Sequence, residues 1–176
     1  MKNTQIEKIA NEILSKTKLN NSAPLDIMSL AKQLDFVVGN AKLSDNDDGF
    51  ILVDRNKRSV LGQDSNKVIG VKACLSVEWK RFTIAHELGH YFLHFSDNEY
   101  GLLAHREHRK GKGKEENEAD YFAACLLLPR DKFIDLYNKV SNTTNDAKVI
   151  ISILASSFMV THEMAERRIK ELKLND

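Results

Sequence analysis

The spacing of apolar positions divides the chain into a helical start, a β-rich middle and a helical remainder. In MKNTQIEKIANEIL, the residues Ile6, Ile9, Ala10, Ile13 and Leu14 recur on one face of an amphipathic helix. The polar NNSAP segment breaks that pattern, and Pro24 or Asp26 opens a second helix through Leu30, Ala31 and Leu34. Phe36 to Val38 predicts a short strand closed by Gly39-Asn40, and the acidic DNDDG at 45–49 predicts a turn before a strand at 49–54. A weak strand is expected around Val60. VIGVKACL at 68–75 predicts another, running into a long helix that contains RFTIAHELGHYFLH at 81–94. Residues 96–114 read as a loop, because the glycines and lysines of HREHRKGKGK oppose packing. A helix starting near Glu115 stops at Pro129, and three more are expected at about 130–140, 146–158 and 161–173.

This order predicts an α+β fold, with a small mixed or antiparallel sheet packed on a mainly helical body. At 176 residues the chain suits one domain with at most a small appended subdomain. A formal net charge of +1 argues against a protein whose main business is coating nucleic acid. Cys74 and Cys125 are far apart and lack a CxxC partner, so a reduced, cytoplasmic setting is the simpler expectation. No stretch approaches the roughly 20 apolar residues that span a bilayer, and no membrane association is expected.

One stretch changes the picture. His86-Glu87-Leu88-Gly89-His90 is HExxH, and residues four apart on a helix share a face, so both imidazoles can reach one metal ion. Glu87, one position along, points to the side where a bound water can sit, as metal-assisted hydrolysis by a general base requires. The bare pattern would arise in roughly one or two shuffled chains in a hundred, so it is moderate support by itself. Its setting strengthens it: Phe82, Ile84, Ala85, Tyr91, Phe92 and Leu93 mark the helix as core, where imidazoles and a carboxylate need partners.

A third protein ligand has to come from elsewhere. The position six residues after His90 is Ser96, which excludes the three-histidine metzincin pattern. His94 continues the series, but three imidazoles on one straight helix cannot wrap a single ion, so His94 is expected to pack or hydrogen-bond near the site. A carboxylate from the next helix fits a two-histidine, one-glutamate site, and Glu115, Glu116, Glu118 and Asp120 are the candidates. Acidic residues also favour helix N-termini through the dipole, which accounts for Glu115. Glu116 and Asp120 share a face, a spacing in which the aspartate orients a ligand histidine, while Glu118 borders Phe122 and Cys125. Periodicity leaves the choice open.

The segments RFTIAHELGHYFLH at 81–94, EADYFAACLLLP at 118–129 and LASSFMVTHEMAERRIKEL at 154–172 resemble the ImmA/IrrE family of metallopeptidases. The resemblance implies a zincin-like domain over 1–140 with a helix-turn-helix-like helical subdomain over 141–176. It implies zinc (Zn2+) held by His86, His90 and Glu118, with Glu87 as the catalytic acid/base; Asp120 stands where the family has Asn or Asp. It also implies a cytoplasmic endopeptidase whose substrate is a helix-turn-helix repressor protein, making the chain an anti-repressor. The strand at 68–75 is the candidate sheet edge for an added substrate strand. The alternative is a DNA-binding or repressor-sequestering regulator with a structural or vestigial metal site. From His162 to Asp176, Arg167, Arg168, Lys170 and Lys173 face Glu163, Glu166, Glu171 and Asp176, a balance that argues against direct DNA binding. The basic segment 105–114 is expected to be solvated, with His105 and His108 exposed.

Overall fold

A computed structural model describes residues 1–17, 19, 23–95 and 113–174, together with the backbone of 102–108. Among the described residues the order is α1 (Asn3–Lys16), α2 (Ile27–Gln33), β1 (Val37–Ala41), β2 (Asp47–Asp54), β3 (Lys67–Lys72), α3 (Val77–Leu93), β4 (Leu102–His108), α4 (Lys114–Leu127), α5 (Arg130–Ser141), α6 (Ala147–Phe158) and α7 (His162–Glu171). The fold is α+β, as the hydrophobic pattern predicts. Caps set several of the boundaries: Asp26 accepts the Ser29 N–H at 2.9 Å, and Asp146 accepts the Lys148 N–H at 2.8 Å. Pro129 stands at the N-cap of α5, where its missing N–H leaves nothing unsatisfied.

The sheet is mixed, in the order β1-β3-β2-β4, with β1 parallel to β3 and the other pairs antiparallel. Two expectations change here. The strand at 68–75 is not an edge: β3 sits between β1 and β2 and has both sides paired. The 96–114 segment is not all loop either, because Leu102–His108 forms β4 along β2, from Asp54↔Leu102 to Asp47↔His108. Pairing supplies partners for backbone groups along the outer side of β2, a gain that does not depend on an apolar period in β4. Residues 109–112 of the basic segment lie outside the described residues. Val60 is buried but belongs to no strand; its N–H bonds to the Ser65 carbonyl at 3.0 Å in a turn.

α3 runs through the centre, buried continuously from Thr83 to His90. Two glycines let its neighbours approach. A Cβ on Gly49 of β2 would lie 2.3 Å from Thr83 Cγ2, and one on Gly89 of α3 would lie 3.0 Å from the Ala119 Cα of α4. At the C-terminal end the chain bends by 106° between α6 and α7 through Met159, whose φ is 51°. That is helix-turn-helix-like geometry. Arg81 of α3 donates from Nε to the Met159 carbonyl at 3.1 Å. The fully buried Arg168 of α7 donates from Nε to the Leu128 carbonyl at 3.1 Å and from Nη1 to Glu171 at 3.3 Å. Both arginines satisfy carbonyls at helix ends and tie the C-terminal pair to the rest of the chain. Among the described residues, no single helix is long and apolar enough to cross a membrane.

Candidate metal centre

The helical rise places His86 and His90 one turn apart on α3, with only 2% and 1% of their surface exposed. Their Nε2 atoms lie 3.0 Å apart. Glu116 enters from α4, with Oε2 3.1 Å from His86 Nε2 and Oε1 3.6 Å from His90 Nε2. One ligand atom from each of these three residues lies within 4.8 Å of the other two. Two zinc–nitrogen bonds of about 2.05 Å at a tetrahedral angle separate their donors by about 3.3 Å, close to the spacing found.

Asp120, one turn after Glu116, fixes the chemistry of His86. Its Oδ1 is 3.0 Å from His86 Nδ1, and its Oδ2 accepts from Arg167 Nη1 at 3.1 Å. Burial pushes the Asp120 carboxyl upward, but the bond from His86 and the Arg167 guanidinium outweigh it and hold the group below its ordinary range. An ionised Asp120 is acceptor-only, so His86 carries its proton on Nδ1 and presents a lone pair at Nε2. The residues present therefore fit a divalent cation: two imidazole nitrogens and a carboxylate converge, and a carboxylate behind one ring sets its orientation.

Glu87 is fully buried, turned under β2, with Oε1 3.4 Å from where a Cβ on Gly49 would stand. A cleft of about 940 Å³ opens beside His86. His86, Glu116 and Asp120 line it together with an apolar wall that includes Leu75, Trp79, Phe82 and Met164. Met164 comes from α7, which also supplies charged lining through Glu163, Arg167 and Glu171.

The structure brings His86 and His90 together with Glu116, whereas Glu118, the expected third ligand, meets His94. Glu118 lies farther along, with Oε2 3.2 Å from His94 Nε2, and its Oε1 faces Lys114 and the amino group of Met1. The reason is helical phase: residues 116 and 118 are about 200° apart around α4. α4 lies against α3 at the Gly89–Ala119 contact with its Glu116 side toward the pair. His94 packs near the site, with Nδ1 3.0 Å from His90 Nδ1. Arg167 is the participant that the sequence concealed, because 47 residues separate it from Asp120. The side chains of His105 and His108 lie outside the described residues.

Two histidines one turn apart, a carboxylate from a later helix, a buried glutamate next to the first histidine in the chain and an adjoining cleft form the arrangement that metal-dependent peptidases use. The chain belongs to the corresponding family: residues 31–170 match the sequence profile of Peptidase_M78, the IrrE N-terminal-like domain. No curated protein matches significantly. Among solved structures the chain is similar to a Mycobacterium tuberculosis transcriptional regulator, with a TM-score of 0.54 and 17% identity. That match covers 94% of this chain and 46% of the other, so this chain spans about half of that protein's length. At this identity the likeness speaks to the fold.

Proposed function

We propose that this protein is a zinc-dependent endopeptidase that cleaves a helix-turn-helix transcriptional repressor and so relieves repression. The convergence of His86 Nε2, His90 Nε2 and the Glu116 carboxylate beside an open cleft carries this reading. His86, His90 and Glu116 would hold the zinc ion, which would supply a water acidified toward neutral pH and a Lewis acid for the scissile carbonyl. Glu87 moves the proton, taking it from the attacking water and delivering it to the departing amide nitrogen. Asp120 keeps His86 in its ligating tautomer. The cleft receives the substrate segment, with apolar side chains against Trp79 and Phe82 and polar groups toward α7. Membership of the IrrE N-terminal-like family supports a regulatory peptidase, and likeness in fold to a transcriptional regulator is in keeping with a regulatory setting.

The DNA-binding alternative draws little support from α7. Arg167 pairs with Asp120 and Glu171, Arg168 with Glu171, and Lys170 with Glu166, so these cations are met by acids of the same chain. The deciding experiment incubates the zinc-loaded protein with the repressor encoded nearest its gene, beside Glu87→Gln. The expected result is a discrete cut by the wild type and a rate about 100- to 10,000-fold lower in the variant. Equal cutting by both proteins would remove Glu87 from the mechanism. No cutting of any such repressor by either would remove the substrate assignment.

A further inference from the structure

His94 and Glu118 are drawn into an ordered contact that the proposed chemistry leaves unused. His90 presents Nε2 toward His86 and Glu116, at 3.0 and 3.6 Å. A metal ligand there needs a lone pair on Nε2, and a neutral imidazole with a bare Nε2 carries its proton on Nδ1. That Nδ1 is 3.0 Å from His94 Nδ1, so the His94 nitrogen has to accept. His94 then holds its own proton on Nε2, which is 3.2 Å from Glu118 Oε2, an acceptor. With both Nε2 lone pairs given to a metal, the opposite assignment of His94, or an imidazolium there, would set two N–H groups face to face at the His90–His94 contact. His94 is well placed for the task, because it closes α3 as its C-cap and its backbone N–H bonds to the His90 carbonyl at 3.0 Å.

We propose that His94 and Glu118 form a hydrogen-bonded relay, His90 Nδ1–H to His94 Nδ1 and His94 Nε2–H to Glu118, that holds His90 in the tautomer a metal requires. The two α3 histidines are then served separately: His86 directly by the Asp120 carboxylate, and His90 through an intervening imidazole. Glu118 is thus a positioning residue acting through His94. This rests on the proposed reading of His86, His90 and Glu116 as a metal site.

The test uses the full chain and two readouts: zinc affinity by chelator competition, and imidazole nitrogen shifts of the zinc-loaded protein by NMR. Far-UV circular dichroism checks that each variant folds. His94→Phe keeps the ring but removes the acceptor, and it should weaken zinc binding about tenfold, the low end of losses for groups that orient a ligand. Glu118→Ala should weaken it less, and Glu118→Gln, whose amide oxygen can still accept, should restore most of that loss. The double variant His94→Phe/Glu118→Ala should bind no more weakly than His94→Phe alone. In the zinc-loaded wild type, His94 should be neutral and protonated at Nε2, with its Nδ1 accepting from His90. Wild-type affinity in His94→Phe, or additive losses in the double variant, overturns the relay. So does a loss above about 1,000-fold in both Glu118 variants, which would make Glu118 a direct ligand. If the wild type binds no zinc, the metal reading falls and the relay with it; a zinc-loaded wild type whose His94 is protonated at both nitrogens overturns the relay alone.

Discussion

The two acidic faces of α4 carry the same chemistry to different ends. On one, Glu116 and Asp120 stand a turn apart and close around His86, one at each ring nitrogen. On the other, Glu118 meets the single imidazole of His94, with Lys114 nearby on the solvent side. Both faces set carboxylates against α3 histidines at 3.0–3.2 Å, so neither residue type nor distance separates them. Convergence does. At the first, two imidazole nitrogens and a carboxylate point at one place; at the second, a donor and an acceptor satisfy each other. A metal site is a set of lone pairs that no neighbouring N–H consumes, and which face of α4 supplies it depends on how the helix is turned.

The most direct way to break this comparison is to neutralise each glutamate. Glu116→Gln should lower zinc affinity by more than about 100-fold, exceeding the usual loss for groups that only orient ligands. Glu118→Gln should stay within about threefold of wild type, since the amide still accepts from His94. Chelator competition on both variants measures the contrast. If the larger loss falls at Glu118, the two faces have been assigned the wrong way round.

What the sequence discloses follows from how local each cause is. The helices are legible because their stops and starts are written in neighbouring residues, such as Asp26, Pro129 and Asp146. The HExxH spacing is legible because a single helical turn creates it. The strand β4 is not, because LLAHREH offers no clean alternation and owes its pairing to the outer side of β2. Nor is the choice of Glu116. Periodicity puts Glu116 and Asp120 together, but which side of α4 meets the pair depends on how α4 packs on α3, as at Gly89 and Ala119, and residues 30 apart do not announce a contact. The family resemblance selects Glu118 by its place in a motif, where the structure gives it a different neighbour. Arg167 is hidden for the same reason, since its contact with Asp120 belongs to the docking of α7.

The buried end of the comparison can be sharpened at Gly49, which gives Glu87 and α3 their room under β2. An alanine Cβ there would stand 2.3 Å from Thr83 Cγ2, inside a fully buried side chain, and 3.2 Å from the Gly70 carbonyl. Gly49→Ala should therefore destabilise the protein by about 1–3 kcal/mol, the range for overpacking a filled core. Thr83→Ser removes the clashing methyl, and in the double variant part of that loss should return. Denaturant melts of the three variants measure it. A Gly49→Ala protein as stable as wild type would show that β2 does not press on α3 as described.

Gly89 is where the phase of α4 can be moved most gently. An alanine Cβ there would meet the Ala119 Cα at 3.0 Å and the Ala119 carbonyl oxygen at 3.2 Å, and these are backbone atoms that cannot rotate away. α4 would have to retreat by a few tenths of an ångström, taking Glu116 and Asp120 with it. Against this, alanine is favoured over glycine inside a helix by about 1 kcal/mol. The two effects oppose each other in stability but not at the site. Gly89→Ala should melt within about 1 kcal/mol of wild type while its zinc affinity falls, by about threefold to tenfold, because converging donors tolerate little displacement. The result that separates the causes is the ratio. A large loss of stability with unchanged affinity would mean that Gly89 serves helix packing alone, and that something other than this contact turns Glu116, rather than Glu118, toward the histidine pair.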